Sequence, residues 1–334
     1  EFDDLATVGT NPQITATFSL TNVTCNGGSD GAISSTVSGG TPPYAFSWTG
    51  PSGFTAFTED ISTLMAGDYQ LTVTDDLGCV RVFPVQTLTE PPPITVDTAY
   101  MDIDCYGADN GSIDLTPTGG TPPYTFAWTG PDGFTAITED ISNLGPGDYS
   151  VTITDAQLCS VDFTDIVTIT EPPEIIVVSD KTDISCGGLS DGAIELTISG
   201  GTPPYTFTWT GPGGFTSSDE DISGLAAGSY SLTLTDGNGC IVNFTDIETI
   251  IEPPLIVASY VSHQNVLCHG GASGSIQIDV TGGTPPLTFD WTNSPGTTQS
   301  VDEDPTGLPA DTYSLTVTDA NGCSAAYPDM VTIN

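Results

Sequence analysis

One ten-residue phrase governs what this chain can fold into, because it occurs four times. It reads Gly39-Gly40-Thr41-Pro42-Pro43-Tyr44-Ala45-Phe46-Ser47-Trp48 and returns at 119–128, 200–209 and 282–291, with Leu287 in the tyrosine place. The two glycines permit a reversal through positive φ, and the prolines hold the residues around them extended. Strict alternation follows. Tyr44, Phe46 and Trp48 point one way and Ala45 and Ser47 the other, as in a half-buried strand with an aromatic inner face. Tyr124, Phe126, Trp128, Tyr205, Phe207, Trp209, Phe289 and Trp291 are the counterparts, all expected in the core. A sugar-stacking platform is the rival use of such a face.

Successive tryptophans stand 80, 81 and 82 residues apart, a period long enough for each unit to bury its own two-sheet core. The boundaries expected are 11–90, 91–171, 172–252 and 253–334. Residues 1–10 read as the closing strand of a preceding repeat, because Glu1 to Gly9 matches the repeat ends at 163–169 and 244–250. The chain stops at the same point of the pattern, and it opens with no secretion signal. It therefore reads as a mature segment of a longer array.

Within repeat one, strands are expected over 14–23, 32–37, 44–48, 68–74 and 80–88, with one strand or two short ones over 54–64. Turn signals at this spacing and no helical period indicate an all-β sandwich. Leu64 to Tyr69 recurs as Leu144 to Tyr149, Leu225 to Tyr230 and Leu308 to Tyr313, and resembles the tyrosine corner of immunoglobulin-like domains. Glu90-Pro91-Pro92, Glu171-Pro172-Pro173 and Glu252-Pro253-Pro254 are short, stiff connectors. The fold expected is a tandem array of four immunoglobulin-like β-sandwiches forming an extended rod.

Forty-three acidic residues face one Lys (Lys181) and one Arg (Arg81), a net charge of −41. Two cations cannot build a nucleic-acid or anionic-membrane surface, and no apolar run is long enough to span a bilayer. Catalysis is not expected either, since His263 and His269 are the only imidazoles and neighbouring acids such as Glu59-Asp60 diverge across a strand. Calcium is the natural complement of such charge. Its candidate ligands are Glu59, Asp60, Glu139, Asp140, Glu220, Asp221, Glu303 and Asp304, and the turn acids Asp75, Asp155, Asp236 and Asp319. Asp30, Asp109 and Asp191, with the junction acids Glu90, Glu171 and Glu252, complete the set. Against that stands the plainer use of turn aspartates as caps of their own turns.

Eight cysteines fall in four pairs: Cys25 and Cys79, Cys105 and Cys159, Cys186 and Cys240, Cys268 and Cys323. Spacing within pairs holds at 54 or 55, whereas spacing between pairs drifts from 26 to 28. The steadier spacing points to one disulfide inside each repeat and to an oxidising, extracellular setting. No CxxC pair supports zinc. A tension remains over 54–64. One strand there puts both cysteines of a repeat at the same end, which suits the bridge but spoils the rod. Two strands make the rod and part the cysteines.

Cys25 to Gly31, Gly39 to Trp48, Glu59 to Leu64 and Gly67 to Cys79 together resemble the SprB-type repeat, and the resemblance runs through all four units. It implies part of a very large cell-surface adhesin of gliding bacteria, exported by their own secretion route, with no catalytic residues. The expected partners are neighbouring repeats of the same long chain, other filament chains, and a surface or polysaccharide ligand. The alternative is a glycan-binding module in which exposed Phe54, Phe134 and Phe215 stack on sugars. Repeat four departs from pattern at Leu287, Ser273 and Asn293-Ser294-Pro295, so its loops should differ. Asp97-Thr98-Ala99 resembles a short O-glycosylation signal of the same bacteria, and sequons stand at Asn22 and Asn243.

Overall fold

The computed structural model describes residues 11–334, so the reading of residues 1–10 as a borrowed strand lies outside the described residues. Repeat one comprises β1 (Thr15–Thr21), β2 (Gly31–Ser38), β3 (Ala45–Thr49), β4 (Thr55–Ala56), β5 (Ile61–Leu64), β6 (Gly67–Thr74), β7 (Val80–Val82) and β8 (Gln86–Leu88). One sheet runs β1-β2-β5, and the other runs β4-β3-β6-β7 with β8 also on β6. Every pairing is antiparallel, and the order matches an immunoglobulin-like sandwich.

The stretch over 54–64 is thus two strands, lying in different sheets. The crossing is set by local chemistry. Trp48 Nε1 donates to the Thr58 carbonyl at 3.1 Å, and Thr58 Oγ1 donates to the Asp60 carbonyl at 2.6 Å. Asp60 then reaches into the opposite sheet, where its carboxylate accepts the Ser35 amide at 2.9 Å. The chain therefore enters a repeat at one end and leaves at the other.

The aromatic phrase behaves as its alternation demands. Trp48, Trp128, Trp209 and Trp291 are fully buried. Tyr44, Phe46, Tyr124, Phe126, Tyr205, Phe207 and Phe289 are half-buried against the cores, with Leu287 filling the tyrosine place in repeat four. The glycines are needed: Gly39 and Gly40 take φ of +77° and +66°, and a Cβ on Gly39 would meet the Gln13 carbonyl oxygen at 2.1 Å. The Pro-Pro bonds that follow, at 42–43, 122–123, 203–204 and 285–286, are all cis. The tyrosine corner is present four times, with Tyr69, Tyr149, Tyr230 and Tyr313 donating to the carbonyls of Met65, Gly145, Ala226 and Pro309 at 2.9–3.0 Å.

The buried apolar residues form four separate cores, within 14–88, 94–169, 184–250 and 258–333. The chain divides at Glu171–Pro172 into two compact units, each of two repeats. Repeat four differs where its sequence does: in place of the 3-10 turn at Pro51–Gly53, a hairpin closes with Asn293 donating its amide to Thr297 O at 3.1 Å. Ser273 replaces the missing aspartate, its hydroxyl accepting the Leu267 amide at 2.8 Å as Asp30 accepts Thr24 at 3.0 Å. In repeat two that duty falls to Asn110, which accepts the Asp104 amide, and not to Asp109. Asp109, the acid that the sequence pattern offers, stands one residue before the position that accepts this amide.

Candidate functional site at the repeat junction

The disulfides join repeats and do not close them. Cys25 is bonded to Cys159, with Cα atoms 5.6 Å apart and 134 residues between them, and Cys186 to Cys323, at 5.6 Å and 137 residues. Cys105 and Cys240 are also disulfide-bonded, whereas Cys79 and Cys268 are free and exposed. The intra-repeat pairs 25–79, 105–159, 186–240 and 268–323 are therefore wrong. The reason is length. Cys25 follows β1 at the exit end, Cys79 lies in the β6–β7 hairpin at the entry end, and a strand the length of β2 separates them by roughly 20–25 Å. Within each bonded pair, the exit end of the first repeat instead abuts the entry end of the second.

Three local devices present the sulfurs. On the entry side, a buried aspartate organises the cysteine turn. Asp155 Oδ1 accepts the amides of Gln157 and Cys159 at 2.9 Å, and Oδ2 accepts Thr121 at 2.8 Å. Burial works against the charge of Asp155, but the Cys159, Thr121 and Gln157 amides outweigh it and hold the carboxyl below the ordinary aspartate range. Asp75 and Asp236 are held low by the same opposition. At Asp319 the Thr284 amide leads. On the exit side, the cysteine turn is tied to the connector: Gly27 donates to Glu90 Oε2 at 2.7 Å, and Asn26 Nδ2 to Glu90 Oε1 and the Pro91 carbonyl, both at 3.1 Å. Gly107 and Gly188 bind Glu171 and Glu252 in the same way. Third, the two sides touch. The Thr24 carbonyl lies 3.5 Å from Cys159 Sγ, and Asn321 Nδ2 donates to the Ser185 carbonyl at 3.2 Å.

The calcium candidates are accordingly dispersed. Asp60, Asp140, Asp221 and Asp304 accept the amides of Ser35, Leu115, Leu196 and Ile278 on the neighbouring strand of the same sheet, at 2.8–3.0 Å. Asp75, Asp155 and Asp236 hold entry turns, while Glu90, Glu171 and Glu252 hold exit turns. Glu59 Oε1 accepts the Val37 amide at 3.3 Å, and Glu139 and Glu220 are its exposed counterparts. Among the described residues no three His, Cys, Asp or Glu side chains converge as a metal site would. Among the described residues these acids are not brought together.

Phe54, Phe134 and Phe215 are not open platforms. Each is half-buried and meets its tyrosine corner edge to face, at 5.4 Å between ring centroids. The exposed apolar side chains of that loop are instead Phe57, Ile137 and Val301. Among the described residues no helix is long and apolar enough to cross a membrane.

The SprB repeat profile matches the chain four times, at 17–53, 98–133, 178–214 and 261–296, each match running from the first strand to the turn after the aromatic phrase. No curated protein matches. Among solved structures the chain is similar to the N-terminal eight Ig domains of Down Syndrome Cell Adhesion Molecule isoform 1.30.30, at 11% identity and a TM-score of 0.24, covering 97% of this chain and 66% of that one. It spans just under two thirds of that relative's length. A tetra-tandem repeat from the extending region of a large adhesion protein is similar at 14% identity and a TM-score of 0.26, covering 96% and 99% of the two chains. With the same phrase, corner and cysteine turn in every unit and a family match in each, this chain is a tandem array of four SprB-type repeats.

Proposed function

We propose that the chain is a load-bearing spacer, a structural segment of a secreted cell-surface adhesin that carries an adhesive end away from the cell and supports attachment or gliding. The SprB repeats support the surface location, and the disulfides fit an oxidising, extracellular setting. The observation that carries the mechanical reading is that the bridges span repeats. Tension arriving at Cys25 passes directly to Cys159, and tension arriving at Cys186 passes to Cys323, so the cores between them are bypassed. A sandwich that unfolds under such a bond cannot lengthen the chain. Among the described residues, Asp60, Asp75, Asp155 and Glu90 are each engaged by backbone amides.

Single-molecule pulling tests this. The bypassed stretches of 134 and 137 residues each hold roughly 45 nm of contour at the reach of an extended chain. Pulled from its ends, the oxidised chain should extend at least about 90 nm less than the same chain after reduction. Equal contour lengths in the two states refute the load path. The glycan-binding alternative has its own readout: a glycan array that lights up with the chain and goes dark with Phe134→Ala would replace the spacer reading.

A further inference from the structure

The two free cysteines are not equivalent leftovers. Cys79 stands in an entry cleft and Cys268 in an exit turn, the two kinds of place that the observed bridges connect. The cleft at Cys79 repeats the one that Cys159 occupies. Pro12, Ile14 and Asp75 line it where Pro92, Ile94 and Asp155 line the other. Gly40 donates to the Pro12 carbonyl at 2.7 Å as Gly120 does to Pro92 at 2.8 Å, and Asp75 Oδ1 accepts the Cys79 amide at 2.8 Å. The difference is the occupant. In the junction of repeats one and two, Cys25 and Asn26 complete the lining, whereas at Cys79 the described residues that line the cleft all belong to repeat one, and Val80 beside it is 62% exposed. The turn at Cys268 is already formed: Gly271 donates to the Cys268 carbonyl at 2.9 Å, as Gly28 does to Cys25 at 2.9 Å.

We propose that these are the two halves of a further junction: the cleft at Cys79 takes the Cys-x-Gly turn of another SprB repeat and closes on it by a disulfide, and Cys268 offers such a turn. A second copy of this chain can supply it, head to tail. Continuity with the two observed junctions argues for this occupant, and the preformed turn means that little ordering is left to oppose docking. Arg81, the only arginine, lines the cleft, so the local charge that a second acidic copy meets there is less negative than on the rest of the chain. The inference rests on the spacer reading for its purpose, since it would extend the same load path across a further link, but not for its chemistry.

The bond needs an oxidant, and oxidised glutathione serves. The Cys79 thiolate attacks the glutathione disulfide and expels one glutathione thiolate. The Cys268 thiolate of the second copy then attacks the Cys79 sulfur and expels the other. Two protein thiols lose two electrons to one glutathione disulfide, and the two protons end on two glutathione thiols. The experiment uses the 334-residue chain as Cys79→Ser and Cys268→Ser variants, separately and mixed, in a glutathione redox buffer. In the mixture, dimers joined through Cys79 and Cys268 should form at least tenfold faster than the symmetric dimers of either variant alone. Unmutated chain should give a ladder of oligomers. Equal rates for mixed and symmetric dimers overturn the proposal, and so does a Cys79–Cys268 ring closed within one copy. Pulling data are untouched by either outcome, so failure here is distinguishable from failure of the spacer reading.

Discussion

Repeat two has an interior and a junction, and the two are built differently. Inside, Trp128 is 1% exposed, held by its Nε1 bond to Thr138 at 3.0 Å and surrounded by Ile113, Leu144, Val151 and Ile153. Apolar packing does the work and involves no other repeat. At the junction the ties are covalent and polar. A disulfide, a buried carboxylate and a glutamate clasp hold two chain ends together. Interior substitutions should therefore stay within one repeat, and junction substitutions should act between two.

The largest effect tests the first half of that contrast. Trp128→Ala removes a fully buried ring and strands the Thr138 carbonyl, a change that costs about 3–5 kcal/mol in a core of this kind. Calorimetry should show one sandwich melting early while the others hold. A uniform shift of all transitions would mean that the four cores are not independent.

Next comes the bridge. Cys25→Ser with Cys159→Ser opens a ring of 134 residues, for which loop-closure entropy gives an upper figure of about 5 kcal/mol. Both cores remain, so the expected signature is a lower melting temperature for repeats one and two while repeats three and four hold. An unchanged melting temperature would assign the junction's cohesion to the Glu90 clasp and the Pro91–Pro93 connector.

Smaller still is the effect of pH. Asp75, Asp155, Asp236 and Asp319 all titrate below the ordinary aspartate value in the folded chain. A depressed folded pKa adds stability that is present above the unfolded value near 3.9 and is lost as pH falls through the folded one. Melting temperature should therefore hold from neutral pH down to about 5 and fall steadily below 4. Asp155→Asn turns an amide nitrogen toward the Thr121 N–H, so it should melt lower at neutral pH and respond less to acid, with a smaller loss than Trp128→Ala. The same melts run in calcium and in chelator, at matched ionic strength, also decide the cation question. A higher melting temperature in calcium would place a cation on these acids, while superimposed curves leave them to their amides.

The sandwich was legible in the sequence because period-two alternation states which face is buried, and Trp48, Leu71 and Val73 lie where it says. The corner was legible because Tyr69 and Met65 are close in the chain. The cysteine pairing was not. Regular spacing of 54 residues measures the repeat, not proximity, and proximity depended on whether 54–64 crosses between sheets. Resolving that crossing would have sufficed: two strands there put Cys25 and Cys79 at opposite ends and leave only a neighbouring repeat within reach. The aromatic Phe134 misled for a related reason. Its exposure depends on the Pro131–Gly133 turn folding it back onto Tyr149, which no pattern of apolar residues announces.

The smallest predicted effect compares closing strands. In repeats two to four this strand is continuous (Ser160–Ile169, Ile241–Ile250, Ser324–Ile333), and in repeat one it breaks into β7 and β8. The continuous strands carry a bulge at Asp165, Asp246 and Asp329, with φ of +48° to +50°, and a serine hydroxyl on the facing strand accepts each bulge amide at 2.9–3.0 Å. Repeat one is one residue shorter here: Phe83 and Leu88 take the places of Phe163 and Ile169 but stand five residues apart instead of six, and Gln70 stands where Ser150 does. The extra residue of the bulge is the one missing, so the ladder parts between β7 and β8. Gln70 partly compensates by donating to the Phe83 carbonyl at 3.2 Å. Inserting an Asp between Pro84 and Val85, with Gln70→Ser, should therefore restore one bulge bond and lose the glutamine bond, a net gain under about 1 kcal/mol, read as slower amide exchange at the inserted residue and at Val85. In repeat two, Asp165→Val forces a β-branched residue into positive φ and should cost about 1–2 kcal/mol. If exchange there stays fast in the insertion variant, Pro84 is what breaks the strand. Repeat four argues against that, since its Pro328 sits at the same place in an unbroken strand.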